Sequence, residues 1–178
     1  TLLVIASVSG FVLFLQTSPV VLVIGVLSFM VGIFYSYGPV PISRIPLGEA
    51  FSGFFMGFVI TFLSTFIHIH DKIGVVLLSY RDNMLSITLN TVEILQIFLV
   101  SLPAVLGIAN IMLANNICDI EDDIVNKRYT LPIYIGKEKA LKLFKILYNI
   151  AYVDILILLF LRVLPLTSAL VILTFPIV

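Results

Sequence analysis

Hydrophobic positions fall into long blocks separated by short polar breaks. A membrane-spanning helix needs about 20 mostly apolar residues, and mostly apolar runs of that length cover 19–37, 48–69, 93–116 and 141–164. Shorter apolar runs occupy 1–15 and 166–178. The pattern therefore predicts an all-α, polytopic transmembrane bundle with about six spans. The stretch 70–92 does not fit that rule. Its "VVLLSYRDNMLSITL" places two apolar runs around Arg-Asp-Asn, which predicts a short β-hairpin or an interfacial segment near 73–90, the hairpin being favoured.

Composition supports a bilayer as the solvent. Of 178 residues 61% are hydrophobic and 11% charged, with a mean hydropathy of +1.20, far from the balance of an ordinary globular domain. Net charge is zero, but its distribution is not even. If the runs are consecutive spans, the side holding loops 38–47 and 117–140 carries Arg44, Lys127, Arg128, Lys137, Lys139, Lys142 and Lys145, against Lys72, Arg81 and Arg162 opposite. Seven against three places the first side in the cytoplasm of a multi-pass cell-membrane protein. The single cysteine, Cys118, excludes an internal disulfide and a cysteine-rich metal site.

Within the spans, Ala6/Gly10 and Gly53/Gly57 have the small-xxx-small spacing that lets helices approach closely, and Pro103 removes a backbone donor mid-span and is expected to kink its helix. His68 and His70 read as interfacial polar anchors. Asp154, in "YVDILILLF", is the one acid deep in a span and a functional candidate by default.

The chemistry concentrates in "NNICDIEDDIVNKRYTLP", residues 115–132, which holds four of the ten acids, Asp119, Glu121, Asp122 and Asp123. Asn115, Asp119 and Asp123 are spaced i, i+4, i+8, one stripe on a continuous helix, with Asp122 beside it and Glu121 opposite. A helix C-terminus carries partial negative charge, and like charges at i, i+4 repel by about 0.2–0.5 kcal/mol, so these acids call for a compensating cation. Mg²⁺ is commonly held by one or two carboxylates together with substrate phosphates and water. Lys127, Arg128 and Arg44 lie on the same side and can neutralise phosphate oxygens. A solvated loop of mixed charge, or a transporter segment binding cations at the interface, fits the same charges. A transporter would add charges at mid-membrane depth and inverted repeats, and only Asp154 is of that kind.

"NNICDIEDDIVNKRYTLPIYIG" resembles the second aspartate-rich motif, NxxxDxxxD, of the UbiA superfamily of intramembrane prenyltransferases. "YSYGPVPISRIPLGE", Tyr35 to Glu49, is similar to the corresponding loop of the 1,4-dihydroxy-2-naphthoate branch, which serves menaquinone biosynthesis. The hydroxybenzoate branch is expected to carry Tyr-Pro and Lys-Arg there. The resemblance covers nearly the whole chain as a single domain, 1–178. It implies that the six spans correspond to the third through eighth of nine, so that the chain is a fragment lacking the first two helices, with their own aspartate-rich motif, and the last, inactive by itself. It also implies Mg²⁺-dependent transfer of a polyprenyl group from its diphosphate to an aromatic acceptor, dihydroxynaphthoate or alternatively hydroxybenzoate. Asp119, Asp123 and Asp122 would hold the metal, and Asp119, Asp123, Lys127 and Arg128 would carry the catalysis. Asn115, Asn116, Asp122, Arg44, Tyr35, Tyr37 and Glu49 would bind substrate. The expected partners are the two substrates and the lipid bilayer, with no nucleic acid.

Overall fold

The computed structural model describes residues 1–71, 74–81 and 83–177. Helix α1 (Leu2–Gln16) packs on α2 (Pro19–Ser36). At the start of α2 the Ser18 side chain accepts the amide N–H of Val20 and Pro19 takes a position whose N–H has no partner in a helix anyway. A 3-10 turn at Ile42–Arg44 leads into a helical span made of α3 (Gly48–Ser52), a π-helical segment (Gly53–Val59) and α4 (Ile60–Ile69). After the hairpin come α5 (Thr91–Cys118), α6 (Ile120–Val125), α7 (Leu131–Ile135), α8 (Lys137–Phe160) and a 3-10 run over Leu166–Ile177.

Four helices are long and apolar enough to cross a bilayer: Pro19–Ser36, Gly48–Ile69, Thr91–Cys118 and Lys137–Phe160. Helix α1, with 15 residues, reaches about 22 Å at 1.5 Å per residue, short of a hydrocarbon core of about 30 Å. The expected span 141–164 is shifted towards its N-terminus. Its first turn is basic rather than apolar, yet Lys137 and Lys139 sit on helix, since long amines carry their charge to the interface on apolar stems.

The 70–92 connection is a β-hairpin. Strands β1 (Val76–Arg81) and β2 (Met84–Leu89) pair antiparallel from Val76↔Leu89 to Arg81↔Met84. Asn83 sits in the left-handed region at φ 63°, where asparagine is among the tolerated residues, and its Oδ1 accepts from the Tyr80 hydroxyl at 2.6 Å. Register puts Val76, Leu78, Ile87 and Leu89 on one face and Ser79, Ser86 and Thr88 on the other. Of these, Val76 and Leu78 pack against a core of Val20, Val21, Phe62, Phe66, Val75 and Ile97, while Ile87 and Leu89 stay exposed.

Helix α5 is central, packed on the 48–69 span on one side and on α8 on the other. The first contact is very close. A Cβ on Gly53 would lie 2.6 Å from the Val105 carbonyl oxygen, and one on Gly57 2.5 Å from the Val105 Cα. The other small-residue pair does not work this way: a Cβ on Gly10 would meet nothing within 4 Å, so Ala6/Gly10 makes no close helix crossing among the described residues. Helix α5 continues as one element through Pro103. Towards its C-terminal end it meets α8 through Leu113, Ile117 and Ala140, and the buried Asn110 donates to the Phe144 carbonyl at 3.0 Å.

Candidate active site

The loops joining α2 to α3 and α5 to α8 meet at one end of the bundle, opposite the hairpin. The acid stripe is on helix for almost its whole length. At Asp119 the backbone leaves helical geometry (φ −95°, ψ 12°). The amide of Asp119 still bonds the Asn115 carbonyl at 2.9 Å, and that of Asp123 the Asp119 carbonyl at 2.7 Å, so the i, i+4 spacing survives the break. Asn115 and Asp119 are exposed, while Asp123, on the same stripe, is 2% exposed.

Asp123 is buried because the chain folds back over it. Lys127 takes a left-handed turn at φ 55°, the Arg128 amide bonds the Asp123 carbonyl at 2.8 Å, and both carboxylate oxygens are then engaged. Oδ1 faces the Arg128 guanidinium at 3.3 Å, and Oδ2 accepts from the Thr130 hydroxyl at 3.0 Å. A buried carboxylate held by a cation and a hydroxyl has its desolvation offset. The same turn reaches the other loop: the Tyr129 amide bonds the Arg44 carbonyl at 2.9 Å, and Arg128 lies 3.5 Å from the Ser43 carbonyl.

A second buried link joins the loops one turn deeper. Glu49, in the first turn of α3 and 6% exposed, accepts on Oε1 from the Asn116 side-chain amide at 2.8 Å. Its Oε2 has no hydrogen-bond partner among the described residues. Three residues on, the Ser52 hydroxyl donates to the Tyr35 hydroxyl at 3.0 Å. Tyr35 and Ser52 close one end of an apolar groove of about 410 Å³ between α2 and the 48–69 span, also lined by Gly32, Phe51, Phe55 and Leu63.

The structure thus joins Glu49 to Asn116 and Asp123 to Arg128, and ties the Arg44 backbone, but not its exposed side chain, to the adjoining Tyr129. Lys127 is exposed. Tyr37 is 75% exposed, apart from the groove. Asp122 lies with Glu121, Cys118 and Lys137 on a shallow groove of about 390 Å³. Among the described residues no three acids, histidines or cysteines come together as a metal-binding group, so Asp119, Asp122 and Asp123 do not form a closed cage. His68 and His70 bond carbonyls of their own helix, Ser64 at 2.7 Å and Ile67 at 3.1 Å, as interfacial anchors would. Sequence reasoning missed Thr130 and Ser52. Neither has a periodic relation to the acid stripe, and the one available signal was the Thr-Leu that follows the basic pair.

The fold is a helical bundle of the membrane-protein kind, with four helices long and apolar enough to cross a bilayer and with carboxylates, amides and arginines gathered at one end of them. The chain belongs to the UbiA prenyltransferase family, which matches residues 1–178. The 1,4-dihydroxy-2-naphthoate octaprenyltransferase of Bacillus subtilis (strain 168) is 35% identical over 130 residues, 73% of this chain and 35% of that protein. The chain therefore spans about a third of the length of the curated relative it matches. No solved structure matches it.

Proposed function

We propose that the chain, as one domain over 1–178, supplies the second diphosphate-binding wall of an enzyme that transfers a polyprenyl group from its diphosphate to 1,4-dihydroxy-2-naphthoate. The observation that carries this reading is the convergence of the Ser43–Glu49 loop on the acid stripe through Arg128, Tyr129 and Asn116. It gathers both signs of charge where a membrane-anchored diphosphate would present its head. The family and the naphthoate-specific relative support the same reading.

The donors are all oxygen or amide groups, which suits Mg²⁺ rather than a softer metal. Asp119, exposed and without a side-chain hydrogen bond among the described residues, is the first candidate ligand, with the exposed Asp122 beside it; Asp123, buried with both oxygens held by Arg128 and Thr130, adds its negative charge and takes up the metal only by exchanging one of those partners. An open set of this kind fits a metal that completes its shell with diphosphate oxygens and water. Bound Mg²⁺ would supply stabilisation of the charge that collects on departing diphosphate.

The chain's own residues do the rest. Asn115, one turn before Asp119, orients a ligand oxygen or water, and Lys127, Arg128 and Arg44 neutralise further phosphate oxygens. The groove behind Tyr35 and Ser52 takes the isoprenoid tail, since its Phe51, Phe55 and Leu63 walls reward apolar burial at roughly 25 cal/mol per Å². The Tyr35 ring, at the head of that groove, can offer its face to the allylic cation as the C–O bond opens, whereas Tyr37, exposed and apart from the groove, is not placed for that role. The aromatic ring then attacks the allylic carbon, and carbon dioxide leaves when the acceptor is the naphthoate. The acid-bearing loops lie in the cytoplasm, where the excess of lysine and arginine places them.

The test is transfer of a labelled polyprenyl diphosphate in membranes carrying the complete protein, with Mg²⁺ or EDTA, offering dihydroxynaphthoate and hydroxybenzoate in parallel. A prenylated naphthoquinol that forms only with Mg²⁺ is the expected result. A prenylated benzoate overturns the acceptor assignment, and no product with either from well-inserted protein overturns the reading.

A further inference from the structure

Four buried side-chain atoms lack a hydrogen-bond partner among the described residues: Ser28 Oγ, Asn110 Oδ1, Asp154 Oδ2 and Glu49 Oε2. Ser28, Asn110 and Asp154 lie within spans α2, α5 and α8. Glu49 alone is at the loop end. From the geometry around it we infer that Glu49 is the group that takes the hydroxyl proton of the aromatic acceptor. This rests on the prenyl-transfer reading given above.

Position is the first argument. Glu49 and Ser52 are three residues apart and so neighbour one another on the helix surface, and Ser52 with Tyr35 closes the tail groove. On its other side Glu49 is bonded to Asn116, which lies three residues before Asp119. Glu49 therefore sits between the end of the groove that would hold the tail and the stripe that would hold the diphosphate. The reacting allylic carbon joins those two parts, and the ring that attacks it must lie beside it.

Chemistry is the second. Asn116 fixes one carboxylate oxygen and leaves the other buried without a donor. Such an atom pays its desolvation in full until a donor arrives. Asp123, the other buried acid at this end, has Arg128 and Thr130 on its two oxygens. A hydroxyl on an acceptor ring is a donor of the right kind, and as its proton moves to Oε2 the O–H electron pair enters the ring. The ring carbon bonds to the allylic carbon, whose C–O pair leaves with the diphosphate. The attacked ring then becomes aromatic again by releasing H⁺ or CO₂, with the bonding pair kept in the ring.

Glu49→Gln in the complete protein separates this role from the others, because Gln keeps an oxygen for Asn116 and loses the base. Two rates are read in membranes: transfer to dihydroxynaphthoate, and release of diphosphate from labelled polyprenyl diphosphate without any acceptor. Transfer is expected to fall 10²-fold or more, the lower range for loss of a general base, while acceptor-free release falls far less. Acceptors with a more acidic hydroxyl should regain part of the loss in Glu49→Gln. Glu49→Asp, one methylene short but still a carboxylate, should retain more transfer than Glu49→Gln. Equal loss in both variants, or release falling as far as transfer, overturns the proposal, as does wild-type transfer by Glu49→Gln. Absence of release and transfer in the unmodified protein would instead sink the prenyl-transfer reading itself, and this inference with it.

Discussion

Replacing Asp123 by asparagine should cost both activity and stability, whereas the same change at Asp119 should cost activity alone. Asp123 accepts from Arg128 and Thr130 on separate oxygens while 2% exposed. An asparagine has one acceptor and one donor pair. If its oxygen faces Thr130, its NH₂ meets the guanidinium donor to donor; turned round, it leaves the Thr130 hydroxyl, itself buried, without its acceptor. Removing one partner of a fully buried pair costs about 3–5 kcal/mol. The Arg128 side chain is 35% exposed and keeps part of its hydration, which brings the figure down to about 1–3 kcal/mol. At about 2–4 °C per kcal/mol for a domain of about 150–250 residues, and less for a longer chain, thermal unfolding should shift down by up to about 12 °C. Asp119 is exposed with no such bonds, so Asp119→Asn should stay within about 0.5 kcal/mol of wild type. Both variants should lose transfer by about 10²-fold or more, the scale of a lost charge-stabilising group. Thermal unfolding of the purified complete protein, paired with the transfer assay, reads both effects. Equal unfolding temperatures for the two variants would refute the lock around Asp123, and full activity in both would refute the diphosphate-binding role of the stripe.

Gly57→Ala should destabilise by about 1–3 kcal/mol or more, because the new Cβ would overlap Val105 backbone at 2.5 Å that cannot rotate away. Gly10→Ala, at identical spacing but with open space around it, should be neutral or gain up to about 1 kcal/mol from helix propensity; thermal unfolding of the two variants side by side checks the pair. Cys118, exposed and the only cysteine in the sequence, should react with a membrane-impermeant maleimide in inside-out vesicles and stay unlabelled in right-side-out ones, and the reverse result would invert the topology. Saturating Mg²⁺ with a polyprenyl diphosphate should slow that labelling, since Cys118 adjoins Asp119; unchanged labelling under saturation would place the diphosphate elsewhere.

The spans were legible from sequence because a bilayer demands a long apolar run and tolerates few exceptions. Helices at 19–36 and 48–69 match the apolar blocks closely. The hairpin was legible because two apolar runs flank a polar turn at a spacing too short for another span. The boundaries of α8 were not, since a basic first turn reads as loop in a hydropathy pattern while its backbone is free to be helical.

At the site, sequence by itself determined which residue types are present and that 115, 119 and 123 share a stripe. It did not determine which of them faces water. Asp119 and Asp123 are alike in type and spacing, and only the return of the chain through Lys127 to Thr130 buries one and leaves the other open. The same holds for Glu49 and Asn116, joined across 67 residues, and for Gly10 and Gly57, whose equal spacing leads to open space in one case and to Val105 in the other. Periodicity fixes the direction of a side chain on its own helix. What lies in that direction belongs to another part of the chain, and burial, pairing and the exposure of a reactive oxygen are decided there.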